Sequence, residues 1–131
     1  MSNQRPRNLL DPEDVGVLIL PRLPKHIADK LNVLRTSHID CFDIERVDNP
    51  AWADQKIWAL METPKWRQLL IVSNAARTYE IGLVTMALEK GFNVFFACET
   101  LDDNHPGASR LRQASAIVTT FEQAIEELGL A

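Results

Sequence analysis

Cysteine is scarce in this chain of 131 residues: only Cys41 and Cys98 are present, and they form no Cys-x-x-Cys pair. That excludes a disulfide framework and a thiol-rich metal site, and both residues are expected to be reduced thiols. No apolar run approaches the roughly 20 residues that a bilayer span requires. The opening Met1-Ser-Asn-Gln-Arg-Pro-Arg lacks the apolar core of a signal peptide, so a cytoplasmic location and no membrane partner are expected. The 14 basic residues are scattered and outnumbered by 18 acidic ones, a balance that argues against nucleic acid as a partner. Internal repeats, low-complexity stretches and inter-domain linkers are absent as well.

What is present fits one globular domain. Apolar residues make up 46% and charged residues 24%, enough for a single core but, at this length, not for two. Residues 1–8 read as a flexible segment and 9–131 as the domain. Val15-Gly-Val-Leu-Ile-Leu20 is a continuous apolar run closed by Pro21 and Pro24, the pattern of a strand buried on both faces. Ile27, Leu31 and Leu34 then recur at helical spacing, which predicts a helix to about Ser37. Ile39 to Val47 alternates weakly and reads equally as a short strand or an extended loop. Asn49-Pro50 opens a predicted helix over Ala51 to Met61, ended by Thr63-Pro64.

The second half is more regular. Gln68–Ser73 reads as a strand, Thr78–Lys90 as a helix stopped by Gly91, and Phe92–Cys98 as a third strand. Ala108–Gln113 follows as a short helix and Ala116–Thr119 as a last strand. The closing helix carries Phe121, Ala124, Ile125 and Leu128 on one face, with Thr120 and Gln123 spaced as a capping box and Gly129 beyond its end. Strands alternating with helices predict an α/β three-layer sandwich with a mostly parallel sheet of four to six strands, Rossmann-like in its winding.

The first strand and most of residues 65 to 130 resemble the isochorismatase-like cysteine hydrolases. In that family the first strand ends in a catalytic Asp, a Lys from a later loop supports it, and a Cys at a helix N-terminus attacks an amide or related carbonyl carbon. Matching helix end to helix end at Lys90-Gly91-Phe92 puts Tyr79 at the Cys position, with Thr78 or Glu80 after a slip of one residue. Leu18-Ile19-Leu20-Pro21-Arg22 puts Pro21 at the Asp position, and the Lys position falls near Glu45 or Arg46. Proline takes no proton, tyrosine with an ordinary pKa near 10 is a poor nucleophile at neutral pH, and arginine is a poor proton shuttle. The resemblance therefore implies the family's fold with its catalytic residues replaced: a degenerate protein that acts as a binding or assembly subunit, with no catalytic residue, cofactor or metal expected.

The alternative is a hydrolase with a displaced nucleophile. Cys98 closes a predicted strand at the edge where doubly wound sheets hold ligands, beside Glu99 and near Asp102, Asp103 and His105. Its acidic neighbours work against a thiolate, and free cysteine is commonly a small buried hydrophobe. Cys41 between Asp40 and Asp43 is placed worse. The same acidic segment raises a divalent metal as an alternative, but its spacing matches no defined loop, and it reads as a solvated connection. His26 and His38 read as surface residues. If the old pocket binds a small molecule without chemistry, its candidates are Pro21, Arg46, Asn74, Tyr79 and Cys98, with a closed cavity near Ser73 to Tyr79. Trp52, Trp58 and Trp66 lie in one short segment, and Ile81 to Leu88 is apolar at nearly every helix position. Both features point to a homo-oligomer.

Overall fold

The computed structural model describes residues 9–44, 66–99 and 104–130. Two flanking strands hold the first one between them. β1 (Val15–Ile19) pairs with β2 (Asp40–Asp43) on one side and β3 (Gln68–Val72) on the other, Val17 standing opposite both Cys41 and Leu70. β4 (Asn93–Ala97) and β5 (Ile117–Thr119) extend the sheet beyond β3, giving the order β2-β1-β3-β4-β5. Every pairing is parallel, as the alternating strand and helix periods require. Of the segment Ile39 to Val47, which reads as strand or loop in sequence, Asp40–Asp43 form β2, at the edge of the sheet among the described residues, half-buried and exposed at its end, where an alternating pattern is weakest; Glu45 to Val47 lie outside the described residues.

Among the described residues four helices complete the layers: α1 (Lys25–Arg35), α2 (Thr78–Glu89), α3 (Pro106–Gln113) and α4 (Phe121–Glu127). Alternate strand residues feed opposite layers. Val17, Ile19, Leu70, Val72 and Phe95 pack with Ile27 and Leu31 of α1 and Phe121 and Ala124 of α4. Leu18, Leu69, Ile71, Val94 and Phe96 pack with Leu83, Val84 and Ala87 of α2 and Leu111 of α3. The neighbours Phe95 and Phe96, 1% and 0% exposed, thus anchor separate cores. Each such side chain contributes about 1.5–3 kcal/mol on burial. The expected helix over Ala51 to Met61, with Trp52 and Trp58, and the flexible segment 1–8 lie outside the described residues.

Helix ends are set by a repeated device. After α2, Gly91 at φ 94° lets its N–H bond Leu88 O while Phe92 N–H bonds Ala87 O; after α4, Gly129 at φ 74° lets its N–H bond Glu126 O while Leu130 N–H bonds Ile125 O. α3 ends the same way with Ser115 at φ 76°, its N–H on Arg112 O and Ala116 N–H on Leu111 O. At the N-termini, α3 starts two residues earlier than its apolar pattern indicates, because Pro106 takes the first position and His105 Nδ1 accepts from Gly107 N–H at 2.9 Å. The capping box expected at α4 is half formed. Thr120 Oγ1 accepts from Gln123 N–H at 3.1 Å, but the Gln123 side chain turns along the helix and donates to Glu127 Oε2 at 3.0 Å.

Trp66, which sequence left between core and interface, packs on the core: a Cβ at Gly16 would meet its ring at 3.0 Å, and the ring meets Phe42 edge-on with centroids 5.4 Å apart. Gly107 sits closer still, since a Cβ there would stand 2.7 Å from Ala76 O in the β3–α2 connection. Gly107→Ala is therefore expected to destabilise the domain by about 1–3 kcal/mol through overpacking. Ser115→Gly, which relieves a left-handed conformation, should stabilise it by about 1 kcal/mol. Urea midpoints of the two variants shifting in the same direction would contradict this account.

Candidate functional site

In a doubly wound sheet the crevice opens where successive connections leave in opposite directions, outside the C-terminal ends of the strands. Here that place lies between β1 and β3, because α1 leads leftward to β2 on one face and α2 rightward to β4 on the other. The ladder runs one residue past β1, with Leu20 N–H bonding Val72 O at 3.0 Å. Pro21 then offers no donor, pairing stops, and the chain turns through Arg22 at φ 64°. On the other side Ser73 Oγ closes a tight turn, donating to Ala75 O at 3.0 Å and accepting from Ala75 N–H at 3.3 Å.

Between these turns lies an open cleft of about 60 Å³, lined chiefly by Pro21, Arg22, Ser73, Asn74, Arg77 and Glu80. Glu80 is the third residue of α2 and 6% exposed, and its Oε1 accepts from Arg77 N–H at 2.7 Å. A buried carboxylate is thus fixed at a helix N-terminus, where the dipole favours negative charge. Of the pocket candidates read from sequence, Pro21 and Asn74 line the cleft. Tyr79 does not: half-buried, it packs against the α2/α3-side core. Cys98 does not either: at 2% exposure it is buried in that same core with Leu18, Leu20 and Ile71. Arg46 lies outside the described residues. Among the described residues the cavity is open to solvent, not closed.

Of the groups placed with Cys98 in sequence, Glu99 and His105 take other partners. Glu99 Oε2 meets His26 Nε2 at 3.1 Å across the edge of α1, and His105 Nδ1 caps α3. Asp102 and Asp103 lie outside the described residues, and among the described residues no three His, Cys, Asp or Glu side chains stand together as a metal would need. His38 is exposed, 3.8 Å from Glu13. Cys41 sits on edge strand β2, donating weakly to Ile39 O at 3.6 Å. Burial pushes its thiol above the ordinary range and Asp43 and Asp40 push the same way, against the lowering pull of Arg35. Arg35 itself forks onto Asp43 at 2.8 and 2.7 Å, a hydrogen bond that holds the guanidinium more firmly protonated.

Sequence reasoning missed Arg22, Arg77 and Glu80 as cleft residues. For Glu80 a signal was available: a carboxylate three residues after a helix cap is placed to bond the cap's own N–H. For Arg22 the only signal was its place after Pro21 at a strand end.

Two outcomes follow from this geometry. Glu80→Ala should cost about 1–2 kcal/mol in urea denaturation by removing the acceptor for Arg77 N–H, while Glu80→Gln, which keeps an acceptor oxygen, should recover most of it. Equal losses in both variants would assign the cost to charge. Alkylation of Cys41 should be slower than that of free cysteine at neutral pH and should rise only above the ordinary thiol range near about 8.5. A rate already at its plateau at pH 7 would contradict the raised thiol.

No protein-family model and no curated protein matches the chain. Its fold is similar to that of the YcaC gene product of Escherichia coli, described as an octameric hydrolase of unknown specificity, with TM-score 0.64 and 18% identity over 98% of this chain and 85% of that one. A putative pilus assembly-related protein of Burkholderia pseudomallei superposes with TM-score 0.58 at 13% identity, covering 92% of this chain and 87% of that one. The MAR1 ribonuclease of Caenorhabditis elegans does so with TM-score 0.55 at 16% identity, covering 93% and 83%. At such identities the likeness concerns the fold. Among the described residues, the five-stranded parallel sheet between two helix layers is the α/β three-layer sandwich that the sequence predicts, and these structures share that fold.

Proposed function

We propose that this chain is an isochorismatase-like protein without hydrolytic chemistry, a binding or assembly subunit of a cytoplasmic homo-oligomer. The observation that carries this reading is the make-up of the switch-point cleft. Acyl transfer by this fold needs a thiolate in reach of the substrate carbonyl, with a base beside it. The cleft is lined instead by Pro21, Arg22, Ser73, Asn74, Arg77 and Glu80, and Cys98 is buried in the core beneath the sheet edge. Ser73 Oγ is engaged in its own turn, and Glu80 Oε1 in the α2 cap.

Assembly has separate support. YcaC, which shares this fold, is described as octameric. The apolar surplus of α2 is narrower than the sequence indicates. Leu83, Val84 and Ala87 are buried on the chain's own sheet, Ile81, Met86 and Leu88 are half-buried beside them, and Gly82, Thr85 and Glu89 face outward. A subunit contact on α2 therefore falls on the flanks, whereas Leu83→Glu or Val84→Glu would unfold the domain.

Incubation with isochorismate, nicotinamide and N-carbamoyl substrates is expected to give no turnover, and sedimentation at micromolar concentration to give a species larger than 14.8 kDa. Ile81→Glu and Met86→Glu should shift that species toward monomer with the fold retained. Turnover that disappears in Cys98→Ala would overturn the reading in favour of a displaced nucleophile. A stable monomer would remove its assembly half.

A further inference from the structure

The switch-point cleft carries more positive charge than its surroundings answer. Arg22 and Arg77 both line it, and among the described residues neither guanidinium makes an ion pair or a side-chain hydrogen bond to a carboxylate. Arg35 and Lys30, by contrast, are answered by Asp43 at 2.7 Å and Glu122 at 3.2 Å. The one carboxylate in the cleft, Glu80, is already committed through Oε1 to a backbone N–H. Two guanidiniums against one carboxylate leave a unit of positive charge, and the 12-residue helix α2 points its N-terminus at the same place.

The backbone adds an independent observation. Arg22 is held at φ 64°, a left-handed conformation that costs a non-glycine residue about 1–2 kcal/mol. Glycine or asparagine would adopt it with less strain, yet the position carries a long cation at the mouth of the cleft. Strain kept at a sheet edge beside a cavity is a reason to look for a ligand there.

We infer that the cleft is an oxyanion site, binding the carboxylate or phosphate end of a small molecule between Arg22 and Arg77. Guanidinium forks match both groups, and Asn74 stands among the lining residues beside them. The cleft is open to solvent, so the part of the molecule beyond the anionic group extends outward. The arginines restrict the site to ligands that bring negative charge, because a neutral or cationic group gains nothing from them, and Glu80 is turned to the α2 cap through its Oε1. This rests on the cleft being a binding and not a catalytic site, and it is tested by binding without reference to turnover.

The experiment is an amide NMR titration of the full chain with inorganic phosphate and, separately, with acetate, at constant ionic strength. Saturable shifts at Arg22, Asn74 and Arg77 are expected with at least one probe, and the tighter probe names the ligand's anionic group. Arg22→Asn, which suits the left-handed backbone, and Arg77→Gln, at an exposed side chain, should each weaken that binding about tenfold or more. Arg67→Gln, an exposed arginine at the opposite edge of the sheet, should leave it unchanged. Absence of saturation with both probes, or equal weakening in all three variants, would overturn the inference while leaving the non-hydrolytic reading to its own test.

Discussion

The structure depends on β1 having a parallel neighbour on each side and a helix layer on each face. A strand in that position must be apolar throughout, and Val15–Ile19 is buried at all five positions. Its central place forces the connections to wind in opposite directions from it, since parallel crossovers keep one hand. The cleft between β1 and β3 is thus a by-product of chain topology before any side chain is chosen. What the chain puts there is a separate matter, and here it is proline, arginine, asparagine and a buried glutamate.

The two sides of the cleft are built by unlike means. On the β1 side, Pro21 ends the ladder by withholding a donor, and Arg22 takes up the turn at a conformational cost. On the β3 side, Ser73 folds the backbone onto its own hydroxyl, and Ala76 then meets Gly107 so closely that no side chain fits between them. The first turn of α3 is thereby pressed against the connection that leads into α2. Glu80 finishes the arrangement by fixing the cap of α2 from inside, so both helices behind the cleft are positioned by short-range contacts and not by long flexible side chains.

The sequence revealed the sheet better than the cleft. Strands β1, β3 and β4 are buried on both faces and therefore read as continuous aliphatic or aromatic runs, which survive uncertainty about register. β2 was ambiguous because an edge strand of four half-exposed residues has too few buried positions to show a period. Helix ends were legible at Gly91 and Gly129, where glycine announces a left-handed residue. At Ser115 the same motif was silent, because serine does not carry that signal. The cleft was half legible: strand ends pointed to Pro21 and Asn74, but whether Tyr79 and Cys98 face the cleft or the core depends on a rotation of one residue. Both turn into the core. Glu80 was visible only as a slip in an alignment, although its capping distance from Arg77 was in the sequence throughout.

The sheet also acts as a partition. Because adjacent strand residues alternate in face, Phe95 and Phe96 belong to apolar clusters that share backbone but few side-chain neighbours. Energetic coupling between substitutions falls away when no partner is shared, so losses in the α1/α4 layer and in the α2/α3 layer should sum with little interaction. A chain built this way has two nearly independent reserves of stability. The layer bordering the cleft is free to accept substitutions that trade packing for new chemistry, with the other layer holding the sheet in place while it does so.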